Sequence, residues 1–568
     1  SDATNTTTLA ADASGNGNDW TPNNISLTSG VTYDSMTDTP TPYADGGNYP
    51  TWNPNCKGSD VSLANGNLDA SWVNVNGHSV YATMGFPTTG KWYCEMTGAY
   101  QVSFGLVPTS SFFVTTQVGY PNAGIGYRGT DGQKVINAAF SAYGAAYTTT
   151  DIVAVVYDAD NLTLRFYKNN VDQGAITVAA DSYTLAVGFQ TTTPGIAKIN
   201  FGQRPFAYTP PTGFLPLHTG NLPDSTIVDG STQMGILTYT GTNGDRLIAT
   251  GEAGIDGEVN FTPDLVWNKS RNTAGYGALW DSVRGGTNAL QTYSTTPELN
   301  SEGGDIDSFV EGGTNFGTGT INASWGNTSG STYVSWQWKA NGAGVSNTDG
   351  SITSTVSANP TSGFSIVSWN QTASGTIGHG LNQTPDLWII KDRDRVSNWY
   401  AYTQLIDGSM DYLLLNTTGS KVDSSVTAPT DTVFSTTNTL VNTSNNGIAY
   451  CFHSVEGYSK FGSYTGNGSS DGVFVYLGFK PKFVLHKRTD SSGDWYIWDS
   501  EREPNNYKRL AIWPNYANPE NDYAGTQVWD FLSNGMKART NSVINNAGSA
   551  TYVYMAFAEN PFKNSLAR

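Results

Sequence analysis

The sequence is poor in charge. Asp, Glu, Lys and Arg make up 13% of its 568 residues, against about 25% in an average soluble domain. The basic residues are the scarcer half, 29 against 47 acidic ones, which leaves a net charge of −18. Gripping a nucleic-acid backbone or an anionic lipid surface takes clustered Lys and Arg, so neither is expected as a partner. Cysteine is scarcer still. Cys56, Cys94 and Cys451 are too few and too far apart for a disulfide framework or a metal-ligand spacing, and read as isolated core thiols. The five histidines, His78, His218, His379, His453 and His486, are scattered, so no local transition-metal motif exists. No apolar run approaches the 18 or so residues of a spanning helix, and the opening SDATNTTTLA has neither the basic nor the apolar region of a signal peptide. Neither membrane insertion nor a cofactor is expected. Ser1 in place of Met points to processing or trimming.

What the sequence has in quantity is Gly, 63 residues, and aromatics, 12% including 16 Trp and 31 Tyr. Such a chain has too many core-forming residues to be disordered, so its polarity belongs to turns. Short alternating or β-branched runs recur between turn signals, at Lys91–Met96, Gln101–Val107, Asp151–Tyr157, Leu162–Tyr167 and Leu185–Gln190. That spacing predicts sandwiches. Two of these runs meet at Asp158-Ala159-Asp160-Asn161, whose Asx residues favour a hairpin turn. Residues 1–50, rich in Gly, Asn, Thr and Pro, read as an extended arm, and residues 51–218 as one β-sandwich.

After the Pro-rich stretch TPPTGFLPLHTGNLP the chain repeats itself. Pro263-Asp264-Leu265-Val266-Trp267-Asn268-Lys269-Ser270-Arg271 matches Pro385-Asp386-Leu387-Trp388-Ile389-Ile390-Lys391-Asp392-Arg393, and Pro481-Lys482-Phe483-Val484-Leu485-His486-Lys487-Arg488 is a third copy. Each is followed by a Trp-bearing strand, with Trp280, Trp399 and Trp495 taken as equivalents. Each closes on an aromatic strand, Tyr333–Trp338, Ile448–Phe452 and Tyr552–Phe557. The recurrence marks duplicated units, placed at residues 219–360, 361–456 and 457–568, each long enough for its own sandwich. The expected fold is all-β: tandem β-sandwich domains behind an extended arm.

Three ordered motifs carry a resemblance: Gly90-Lys91-Trp92-Tyr93-Cys94-Glu95, the hairpin with its Leu164-Arg165-Phe166-Tyr167-Lys168-Asn169 end, and Asn200-Phe201-Gly202-Gln203-Arg204-Pro205-Phe206. Together they resemble a SPRY (B30.2) domain, which implies a bent two-sheet sandwich that binds partners through loops and has no catalytic role. Asn170 stands where that family usually has Gly, and Asn tolerates the positive φ the position needs. The repeat block, with Asp12–Trp20 and Ala556–Phe562, resembles structural proteins of marine tailed bacteriophages, in which a SPRY-like domain precedes such repeats. The resemblance implies a non-enzymatic tail-fibre or spike-like subunit on the virion exterior. Its implied partners are other virion subunits, further copies of itself and a bacterial surface glycan. The alternative it leaves is a capsid-decorating or filament-forming subunit whose main role is assembly.

Catalytic motifs are weak by comparison. Gly468-Ser469-Ser470-Asp471-Gly472 spells a nucleophile elbow, but Val473-Phe474-Val475-Tyr476 follows as a strand where a helix is required. Gly124-Ile125-Gly126-Tyr127-Arg128-Gly129 spells a dinucleotide fingerprint without the helix that receives the pyrophosphate. Glu501 and Glu503, or Asp305 and Asp307, are carboxylate pairs of the type a glycan depolymerase needs, yet such pairs arise by chance among 47 acidic residues. The candidate interface or ligand contacts are the recurring basic residues Lys269, Arg271, Lys391, Arg393, Lys487 and Arg488, and the aromatic residues Trp399 and Trp495. The basic residues are expected chiefly to pair with carboxylates and fix sheet or subunit geometry. The aromatic residues are expected in cores, or else as platforms for sugar rings.

Overall fold

Short alternating runs between Gly- and Asx-rich turns become strands throughout the computed structural model. The structure describes Thr21, Ile25, Ser26 and residues 47–561, apart from 74–76, 100, 121–123, 191–192, 275–276, 301–305, 318–322 and 524–527. The expected arm therefore lies almost wholly outside the described residues, as do Asp305, Asp12–Trp20 and Phe562. The protein is all-β and divides into two compact units, Ser1–Asp224 and Ser225–Arg568.

The first unit is a two-sheet sandwich. One sheet runs, in spatial order, Trp52–Lys57, Ser79–Gly85, Tyr183–Phe189, Val102–Pro108, Ile125–Arg128, Lys134–Ile136 and Ala139–Ser141. The other is built around Lys91–Thr97, Val153–Asp158 and Thr163–Lys168. The hairpin forms as its sequence predicts, with Val153 opposite Lys168 and Asp158 opposite Thr163. At its exit Asn169 and Asn170 both take positive φ, 47° and 66°, the left-handed conformation that Asn tolerates best after Gly. Glu95 is fully buried in this sheet and accepts hydrogen bonds from Tyr93 Oη (2.9 Å) and the backbone N–H groups of Ala207 (2.9 Å) and Tyr208 (3.0 Å). It thereby pins the segment after Asn200-Phe201-Gly202 to the sandwich.

The second unit contains three copies of one four-strand arrangement. In the first, Met234–Thr240 and Leu265–Ser270 flank the closing strand Thr332–Trp338, and Ala278–Asp281 lies outside Leu265–Ser270. In the second the same places are held by Phe364–Asn370, Leu387–Asp392, Asn446–Phe452 and Tyr400–Thr403. In the third they are held by Ser459–Thr465, Phe479–Arg488, Thr551–Pro561 and Trp495–Asp499. Val345–Asn347 and Ser354–Asn359, which the sequence boundaries place in the first repeat, hydrogen-bond into the sheet of the second.

Each large sheet is buried on both faces, which is why its central strand reads as a near-continuous apolar run. One face packs on a small sheet of its own repeat, through Val266 and Trp280, Trp388 and Tyr402, or Val484 and Trp498. The opposite faces of all three meet in a single shared core. Leu265, Trp267, Trp336 and Trp338 there meet Leu387, Ile389, Tyr450 and Phe452 and also Phe483, Leu485, Met555 and Phe557. Edge-to-face ring contacts join Trp336 to Phe483 (6.0 Å) and Trp338 to Phe557 (5.9 Å).

Strand register corrects one equivalence drawn from the sequence. Leu265 pairs with Asp281, Leu387 with Thr403 and Phe483 with Asp499. Trp280 is therefore the counterpart of Tyr402 and Trp498, whereas Trp399 and Trp495 correspond to Gly277. A Cβ at Gly277 would come within 3.1 Å of Lys269 Cδ, so a side chain there would require Lys269 to shift.

Candidate functional site

The recurring lysines sit at one structural position and are buried, each 1% exposed or less. Their ammonium groups donate mainly to backbone carbonyls, and in each case one acceptor belongs to another repeat. Lys391 Nζ reaches Thr295 O (3.1 Å) in the first repeat and Ser397 O (2.7 Å) in its own. Lys487 Nζ reaches Thr418 O (3.2 Å) in the second, and Lys269 Nζ reaches Tyr516 O in the third. The three contacts run second to first, third to second and first to third, so the repeats close into a ring. Burial lowers all three lysine pKa values, to about 7 for Lys269 and about 8 for Lys391 and Lys487.

Trp399 and Trp495 follow the same rule. Trp399 Nε1 donates to Gln291 O of the first repeat (2.9 Å) and Trp495 Nε1 to Leu414 O of the second (3.0 Å). Both rings are buried in the shared core, which removes them as surface platforms for sugars.

Arginine completes two of the three seams. Arg393 forms a bidentate pair with Glu298 (2.9 and 2.6 Å), and Arg271 one with Glu520 (3.2 and 3.2 Å). Each glutamate also takes a buried arginine of its own repeat, Arg284 (2.8 Å) or Arg502 (2.7 Å), which in turn pairs with Asp281 or Asp499 at 2.6 Å. Tyr450 Oη donates to Asp281 (2.7 Å) and Trp336 Nε1 to Asp499 (3.1 Å), each across its seam. Burial alone would raise the Glu298 pKa, but Arg393 and Arg284 hold it below the usual value.

The third seam, between residues 361–456 and 457–568, is built differently. The backbone N–H groups of Glu298, Glu520 and Lys421 donate to the carbonyls of Arg393, Arg271 and Thr489 respectively, at 2.7–2.8 Å. Thr489, and not Arg488 as the sequence match implied, is thus the counterpart of the two arginines. Arg488 pairs with Asp490 of its own turn (2.8 Å). Thr403 and Ile406 replace the Asp and Arg, and Met555 replaces Tyr450 and Trp336. Among the described residues no ion pair crosses this seam.

Lys421, in the place of the glutamates, turns to Asp407 (2.6 Å), Asp411 (2.8 Å) and Asp423 (2.7 Å). Ligand atoms of these three carboxylates lie within 4.8 Å of one another, a set that could hold a divalent cation. The ammonium already stands among them. Burial works against its charge, but the three acids hold the Lys421 pKa well above the usual value.

The sequence motifs for catalysis resolve as turns and strands. Gly124–Gly129 contains the strand Ile125–Arg128, and Gly468–Gly472 is a loop leading into Phe474–Tyr476. Glu503 accepts the backbone N–H groups of Arg509 (2.6 Å) and Leu510 (2.8 Å) and shapes its own loop.

Glu501 has a different setting. It lines a polar cleft of about 250 Å³ between the first and last repeats, together with Asp229, Ser231, Glu258, Lys482 and Ser500. Desolvation raises its pKa, and Asp499, Asp256 and Glu559 act in the same direction against Lys482. A second, open cleft of about 450 Å³ shares Pro504 with the first and is lined by Asn505, Asn506, Tyr507 and Arg509. Sequence analysis did not single out Lys482, although a signal was present: Pro-Asp in two repeats becomes Pro-Lys in the third. Asp264 accepts the N–H groups of Ala340 (2.7 Å) and Gly342 (2.9 Å), and Asp386 that of Ser454 (2.7 Å). Both aspartates fasten the chain as it leaves for the next repeat. In the third repeat lysine takes that place.

Among solved structures, the chain is similar to a human SPRY domain at 16% identity, covering 25% of this chain and 95% of that one, with a TM-score of 0.22. The SPRY domain of human HERC1 matches at 17% identity, covering 26% and 96%, with a TM-score of 0.22. The TRIM65 PSpry domain matches at 13% identity, covering 27% and 92%, with a TM-score of 0.24. No curated protein matches the chain. Residues 229–561, more than half the chain and nearly all of the three-repeat unit, match the family described as a domain of unknown function (DUF7483), and the chain belongs to that family.

Proposed function

We propose that the protein is a non-enzymatic structural subunit of the exterior of a tailed-phage virion, tail-fibre or spike-like, that binds a bacterial surface glycan. In this reading Ser225–Arg568 is a stiff scaffold, and the SPRY-like sandwich of the first unit contributes binding loops. The observation that carries it is the closed ring of three repeats, in which the recurring lysines, Trp399 and Trp495 are all committed to contacts between repeats. A chain that devotes its scarce cations and largest rings to internal joints is organised for rigidity. The same observation favours a second reading, a capsid-decorating or filament-forming subunit with assembly as its main role. Electron microscopy of the native assembly containing this chain separates the two. Density at a tail tip or fibre supports receptor binding. A regular lattice or filament, with residues 1–50 running into a neighbouring copy, makes assembly the function, and absence of the chain from virions overturns both.

A further inference from the structure

We propose that the cleft where the last repeat meets the first, around Lys482 and Glu501, binds a neutral or amino-bearing sugar ring, with the saccharide continuing past Pro504 toward Tyr507. The proposal rests on the glycan-binding reading above and gives that reading a place and a chemical class.

The argument starts from groups whose hydrogen-bonding capacity is unused. Lys482 is 7% exposed and lines the cleft, yet its ammonium has no hydrogen bond or ion pair within 4 Å among the described residues. That ammonium is not fully enclosed: it reaches the open space of the cleft, where its charge acts on Glu501. Its counterparts both accept backbone donors, Asp264 from Ala340 and Gly342 and Asp386 from Ser454, so the repeat by itself does not leave this position without hydrogen bonds. Glu501, across the cleft, accepts no hydrogen bond from any described residue, while Glu503, two residues on, accepts two backbone N–H groups on one oxygen. The Ser500 hydroxyl and the Asn560 amide complete a set of donors and acceptors facing one space. A pair of adjacent sugar hydroxyls, each able both to donate and to accept, matches such a set.

Charge then selects among sugars. Asp229, Glu258, Glu501 and Glu559 surround a single lining lysine, and Lys480 is paired to Glu559. The cleft is acidic overall, so uronic acids, sialic acids and phosphorylated sugars are repelled, whereas an amino group is attracted. The volume of about 250 Å³ falls below the 300–1,000 Å³ typical of drug-sized ligands and suits one ring. Tyr507, 37% exposed in the adjoining cleft, offers an aromatic face for the next ring.

The test is saturation-transfer NMR titration of the full chain with glucosamine, N-acetylglucosamine, galactose, glucuronic acid and chitobiose. The expected result is binding of at least one neutral or amino sugar and none of glucuronic acid, with affinity falling about tenfold or more in Glu501→Gln and Lys482→Met. Tyr507→Ala, on an open rim away from any core, should weaken chitobiose about tenfold and leave the monosaccharides unchanged. Binding that persists undiminished in all three variants overturns the cleft and leaves the glycan reading standing. Preference for glucuronic acid overturns the chemical class, and no binding by any of the five overturns the cleft together with the glycan reading.

Discussion

A lysine buried against carbonyl oxygens leaves a pH signature. Lys391 has a pKa of about 8 in the folded protein against its usual 10.5, so between those values the unfolded chain holds a proton that the folded one lacks. Unfolding then takes up protons, and stability rises with pH across that window. The penalty is complete below about pH 8 and gone above about pH 10.5. Lys391→Met should therefore flatten the rise in urea midpoint between pH 7.5 and pH 10, and identical slopes for the two proteins would show that the lysine is not desolvated. Glu298 has the opposite sign. Its pKa is lowered, so its contribution is present at neutral pH and fades as acid protonates it. Glu298→Gln leaves Arg393 and the buried Arg284 without their shared partner and should cost about 3–5 kcal/mol in denaturant unfolding at pH 7. Adding Arg393→Met should then cost less than it does alone. The sequence made these residues visible as a recurrence but not their partners. Lys391 meets a carbonyl 96 residues away and Lys269 one 247 residues away, and backbone acceptors leave no mark in a sequence. The expectation of carboxylate partners holds for Arg271, Arg393 and, within its own turn, Arg488, and fails for the three lysines.

At the scale of single elements, local chemistry was legible wherever a turn or strand decides its own conformation. The hairpin Val153–Asp158 to Thr163–Lys168 follows from two-residue alternation around Asx residues. Its exit through Asn169 and Asn170 at positive φ predicts that Asn170→Gly stays within about 0.5 kcal/mol of the parent, whereas Asn170→Val loses about 1–2 kcal/mol. Thermal unfolding followed by circular dichroism measures both. Register was less legible, because Trp occurs at two neighbouring positions with opposite facing. Trp498 points into the core of its own repeat and Trp495 into the shared core, and a match on residue type alone joined Trp280 to the wrong one. The cleft around Lys482 escaped notice for a related reason: it lies where a repeated role lapses, and a comparison made to find likeness passes over departures.

Across the whole second unit, consecutive apolar residues in Leu265–Trp267, Leu387–Ile390 and Phe483–Leu485 were a sign that each strand is covered on both sides. What covers the outer side is another repeat, and that belongs to tertiary arrangement. One consequence is cooperativity. Trp399 is fully buried and bonded to Gln291 of the first repeat, so Trp399→Ala should lower stability by about 3–5 kcal/mol. Hydrogen exchange should show the loss at the closing strands Thr332–Trp338, Asn446–Phe452 and Thr551–Pro561 alike, whereas a drop confined to the second would mean that the repeats unfold one by one.

The three joints of the ring also respond differently to acid. Two carry arginine–carboxylate networks, while the joint between residues 361–456 and 457–568 relies on apolar contacts around Met555 and Leu413, apart from a few hydrogen bonds such as those of Lys487 and Trp495. Strong acid protonates the carboxylate of an ion pair, whereas an apolar contact carries no group to titrate. Both joints that carry these pairs border residues 219–360, so acid is expected to loosen that repeat from the other two and to leave those two joined.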